Sequence, residues 1–100
     1  MGQNRRTATR HEVDLAGTLL EGETSSEIRV LNLSLGGAFL ALKRVMGDRI
    51  KFSFRIPTLE QPITTEGTVR WVDGKGIGVQ FDGLRAQDVW GLGKYFEQLA

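Results

Sequence analysis

One hundred residues make one domain with a single modest core. Hydrophobic residues at 40% and charged residues at 25% are ordinary for a soluble globular chain, and a net charge of +1 argues against a dedicated nucleic-acid binder, which is strongly basic. The absence of cysteine excludes disulfides, thiolate metal ligation and a cysteine nucleophile.

Residues 1–10, MGQNRRTATR, hold three arginines and no acid, and predict a mobile basic arm. Arginine outnumbers lysine nine to four over the whole chain. A guanidinium is a planar fork that suits phosphates and guanine edges, whereas an ammonium is a point charge. The start lacks the apolar segment of a signal peptide, Gly2 lacks the serine or threonine of a myristoylation site, and no run reaches membrane-spanning length. The expected location is cytoplasmic.

From His11 the pattern changes to short alternating runs. HEVDLAGTLLE sets Val13, Leu15 and Leu19 on alternate positions, with Gly17 as a bulge or close approach. EGETSS reads as a turn. EIRVLNL then places Ile28, Val30 and Asn32 on one face, with Arg29, Leu31 and Leu33 on the other. GAFLAL, DRIKFSFRI, ITTEGTVRWV and GIGVQF supply four more strands, and Pro57 and Pro62 bracket the loop between the fourth and fifth. VDGKG is a hairpin signal, because Asp-Gly accepts positive φ. Phe39, Phe52, Phe54, Trp71 and Phe81 fall in strand patterns that suggest core. Six short strands with short connections predict an all-β fold, an antiparallel sheet closed into a small barrel.

The last segment is helical: Ala86, Val89, Leu92, Phe96 and Leu99 recur at spacings of three and four. Asp82 is the expected N-cap, and Asp88 favours the first turn electrostatically. Gly91 and Gly93 each weaken such a helix by roughly 1 kcal/mol relative to alanine, so its apolar face must lie against the barrel. Trp90 is expected to pack with the helix; exposed, it would mark a partner site or dimer contact.

Catalytic patterns fail on inspection. The nucleophile elbow needs Gly-x-Ser-x-Gly between strand and helix. Around Ser34 the sequence is NLSLG, followed by a strand, and the lone His11 reads as a partly exposed strand residue. GKGIG, Gly74 to Gly78, precedes a strand and is no dinucleotide loop. Scattered carboxylates lack the spacing of a calcium loop. The chain is read as a non-enzyme without cofactor or metal.

Two stretches remain. Arg6-x-x-x-Arg10 lies ahead of the first strand, and Asn32-x-Ser34-x-x-Gly37 follows the second. Together they resemble the signature of PilZ domains, RxxxR and [D/N]xSxxG, and GTVRWVDGKGIGVQF resembles the family's last two barrel strands. The resemblance covers essentially the whole chain. It implies a six-stranded barrel, residues 11–100, with a C-terminal helix at about 85–99 and the arm at 1–10. It also implies a bacterial receptor for cyclic di-GMP, with Arg5, Arg6, Arg10, Asn32, Ser34, Gly36 and Gly37 as ligand-binding residues.

The chemistry suits that ligand. Arginines pair bidentately with phosphates, reach guanine O6 and N7, and stack on bases. Asn32 supplies donor and acceptor without placing an anion beside a dianion. Gly37, lacking Cβ, admits the ligand to the backbone. In relatives an arginine just before the motif, here Arg5, accompanies an intercalated ligand pair, so two ligands per site are expected. The resemblance implies that ligand binding orders the arm and signals to an effector protein, with motility regulation as the expected process; no nucleic acid or membrane partner is implied, and the expected state is a monomer or weak dimer. The alternatives are a PilZ-type protein-interaction module in pilus or motility control that binds no cyclic di-GMP, and a small β-barrel nucleic-acid binder.

Overall fold

The alternating runs form six antiparallel strands: β1 (His11–Glu21), β2 (Thr24–Leu33), β3 (Gly37–Leu40), β4 (Arg49–Phe54), β5 (Ile63–Val72) and β6 (Ile77–Phe81), followed by helix α1 (Ala86–Leu99). The computed structural model describes residues 9–99. The strands close in the order β1-β2-β3-β6-β5-β4, and β1 pairs back onto β4 over Gly17–Leu20.

Inward positions fill the barrel. Val30, Leu33, Leu40, Phe52, Ile63 and Ile77 have no exposed surface. Each such side chain contributes about 1.5–3 kcal/mol of transfer free energy. Phe52 stacks on Phe54 at 5.9 Å and tilts against Phe81 at 6.2 Å. These three phenylalanines occupy the core, as their alternation predicts.

Strict alternation breaks at three places. The β1–β2 register shifts between Glu12 and Leu15, β2–β3 between Val30 and Asn32, and β5–β6 between Val69 and Trp71. In β2, Leu31 is the extra residue, so facing inverts after it. Leu33 therefore joins Ile28 and Val30 in the core, correcting the face assigned to it from plain alternation. Gly17 makes the expected close approach, since a Cβ there would stand 2.9 Å from the Ser53 carbonyl oxygen.

Turn chemistry also differs in places. EGETSS contains only a two-residue turn: Gly22, at φ 61°, and Glu23 lead directly into β2, and Thr24 Oγ1 donates to the Glu21 carbonyl at 2.8 Å. Thr24–Glu27 are exposed on both faces, so no apolar alternation marks them as strand. The VDGKG hairpin forms without positive φ at Gly74. Asp73 Oδ1 instead accepts the amide hydrogens of Lys75 at 2.7 Å and Gly76 at 3.1 Å.

Helix α1 starts at Ala86, with the Arg85 carbonyl accepting from Asp88 and Val89 amides. Asp82 is not its cap; its carboxylate is held by Arg49, which also binds Glu66 at 3.0 Å. The buried face is Asp88, Gly91, Leu92 and Tyr95, rotated from the expected stripe so that Val89 and Leu99 are exposed. Asp88, 1% exposed, receives a two-pronged contact from Arg85, whose own pKa is raised by that hydrogen bond and by the carboxylate charge. Gly91 seats the helix on Leu59, and its carbonyl accepts from Thr58 Oγ1 at 2.6 Å.

Candidate functional site

Register decides where the chain's cations meet its polar loop. His11 opens β1 opposite Leu33, the last residue of β2. Arg10 therefore stands beside the loop that begins at Ser34. A cavity of about 310 Å³ lies there on the outer barrel face, lined by Arg10 and Asn32, the Ser34–Phe39 turn and strand, and Arg70, Trp71 and Gln80 of the neighbouring strands. Its described lining carries two guanidiniums and no carboxylate.

Two bulges build this face. After the extra residue Leu31, Asn32 turns outward into the cavity, away from the inward row of Ile28 and Val30 on which plain alternation sets it. Across the site, the irregularity between Val69 and Trp71 lets two consecutive residues, Arg70 and Trp71, line the same cavity, which a regular strand forbids.

Trp71 lies over Gly78, whose hypothetical Cβ would fall inside the indole ring's contact distance. It stacks on Phe39 at 5.1 Å and 26°. Phe39 is buried, yet it is no member of the core cluster, because the stack sits outside the barrel. Trp71 is thus corrected from core to a half-buried platform, while Phe39 is buried beneath it, outside the main core cluster. The Arg10 guanidinium carbon stands 5.5 Å from the Trp71 ring centroid, a cation–π contact.

The turn itself is held by Ser34. Its Oγ accepts amide hydrogens from Gly36 and Gly37, each at 3.1 Å, and donates to the Gly37 carbonyl at 3.3 Å. The Ser34 amide donates to the same carbonyl at 2.9 Å. Gly37 has a structural reason of its own: a Cβ there would collide with the Val79 carbonyl oxygen of β6. Gly36 faces open space, and its carbonyl accepts from the Phe81 amide at 2.9 Å.

Of the sequence-predicted site residues, Arg10, Asn32, Ser34, Gly36 and Gly37 come together around one cavity. Arg5 and Arg6 lie outside the described residues. Sequence reasoning missed Phe39, Arg70, Trp71, Gly78 and Gln80. The spacing Trp71–x₆–Gly78 across the hairpin was the available signal, since only a glycine lets an indole lie flat on the facing strand.

The PilZ domain family model matches residues 4–98. The chain is a PilZ domain. Solved structures that share its fold include two PilZ-type neighbours. The Bacillus subtilis inhibitor of motility, MotI/DgrA, superposes with a TM-score of 0.78 at 22% identity over 94% of this PilZ chain and 50% of its own length. Borreliella burgdorferi PlzA, solved in complex with c-di-GMP, gives 0.71 at 21% identity over 95% and 42%. This PilZ domain spans half or less of the length of these two proteins. No curated protein sequence matches it. No described helix of the domain is long and apolar enough to cross a membrane.

Proposed function

We propose that this PilZ domain is a receptor for cyclic di-GMP, bound on the outer face of β2, β3, β6 and β5, and that its N-terminal arginines close over the ligand. The observation that carries the reading is the common cavity: Arg10, the end of the RxxxR motif, and Asn32 and Ser34 of the second motif line one acid-free depression. A dianionic dinucleotide matches that electrostatic character. Asn32 offers a neutral donor and acceptor to a base edge, and the Trp71 face offers a surface on which a base or guanidinium stacks. The solved PlzA complex, which has the same fold, supports the ligand class.

Closure is the switch. About 2–4 charge-assisted hydrogen bonds, each worth roughly 1.5–3 kcal/mol, offset the entropy of ordering the arm. The new surface formed by the ordered arm is what an effector protein reads.

The test is a calorimetric titration of cyclic di-GMP into the unaltered chain, Arg6→Ala and Arg10→Ala. Saturable binding is expected in the first, with at least a tenfold loss in each variant. No saturable response from any of the three would instead favour an interaction module indifferent to the nucleotide, and equal saturable binding by all three would remove the arginines from the site.

A further inference from the structure

The N-terminal motif supplies the cations that the signature names, but another guanidinium already stands in the cavity wall. Arg70 lines the depression, and its Nε donates to Gln80 Oε1 at 2.6 Å. Gln80 is on β6, paired across the barrel face with Gly37 and with Thr68. Among the described residues Arg70 has no carboxylate partner. Every other arginine between β1 and α1 except Arg55 has one: Arg29, Arg44, Arg49 and Arg85 are each ion-paired.

A guanidinium held through Nε by a neutral amide keeps its full charge and leaves both terminal nitrogens available. That arrangement is pre-oriented, and it lies beside the Trp71 platform on the same bulged strand. A carboxylate in place of Gln80 would neutralise the group for an anionic ligand; the amide orients it at no such cost.

We propose that Arg70 is a fixed ligand-binding cation of the barrel wall, taking a phosphate oxygen or guanine edge of the dinucleotide, and that Gln80 is the residue that positions it. The inference rests on the nucleotide reading above and adds to it a half-site that belongs to the barrel itself.

A double-mutant cycle in the full chain tests this, with cyclic di-GMP affinity measured for the unaltered protein, Arg70→Ala, Gln80→Met and the double variant. Both side chains are exposed, so thermal midpoints are expected to stay within a degree or two of the unaltered chain. Arg70→Ala is expected to weaken binding about tenfold and Gln80→Met about threefold to fivefold. In the Arg70→Ala background, Gln80→Met is expected to have no further effect. Tight binding by Arg70→Ala, or an equal Gln80→Met loss in both backgrounds, would overturn the proposal and leave the nucleotide reading standing. No saturable binding in the unaltered chain would overturn both.

Discussion

Ser34 Oγ meets two amide hydrogens and the Gly37 carbonyl, so its hydrogen-bonding capacity is largely spent inside the turn. Removing the hydroxyl leaves two amides seeking partners. Ser34→Ala is expected to lower unfolding free energy by about 1–2 kcal/mol, read as a fall in denaturation midpoint, and to weaken nucleotide binding by about 1 kcal/mol through the displaced loop. An unchanged midpoint would mean the turn stands without it. Gly37→Ala is a harsher change, because the obstacle is backbone. Separation of β3 from Val79 is expected to destabilise the domain by about 2–3 kcal/mol. The motif was visible as a pattern of residue types; that its serine and second glycine serve the turn and the strand pairing required knowledge of what lay across the barrel.

At the level of the element, α1 shows two glycines with opposite meanings. Gly91 faces Leu59, whereas a Cβ at Gly93 would meet nothing within 4 Å. Gly93→Ala is therefore expected to raise stability by about 1 kcal/mol, the helix-propensity difference. Gly91→Ala is expected to lower it, as measured by thermal unfolding. The same helix carries the chain's single tyrosine. Burial pushes the Tyr95 phenol above its ordinary value of 10.0, since the anion is disfavoured there. The resulting stability is fully present below pH 10 and is lost as pH rises through the raised folded-state value. Tyr95→Phe is expected to unfold with a shallower alkaline decline than the unaltered chain; parallel declines would place the cause elsewhere. Spacings of three and four identified the helix and its length. The stripe was misjudged because Gly91 and Asp88, neither apolar, belong to the buried face, held by the Leu59 contact and the Arg85 contact.

For the whole molecule, all six strands and the terminal helix were legible, because alternation of period two gave way to a period near 3.6 only after Phe81. The site was legible in part. Local motifs named Arg10, Asn32 and Ser34, but the other half comes from β5 and β6, brought alongside by a strand order that single-strand periodicity does not encode. Bulges then hid Trp71, since plain alternation reads it as core. With Arg5 adding a guanidinium to Arg6 and Arg10, calorimetry is expected to return two cyclic di-GMP molecules per chain, and one per chain for Arg5→Ala. One per chain in the unaltered protein would refute the stacked pair.

Because β4 hands its hydrogen bonds back to β1 over Gly17–Leu20, the described sheet is closed along that seam and offers no free strand edge there to another polypeptide. The domain can therefore present the Trp71 indole at its cavity without that seam also offering a template for amyloid-like growth. At the cavity it is a ring face that Trp71 presents, and a planar, charged small molecule fits such a face better than a stretch of backbone does.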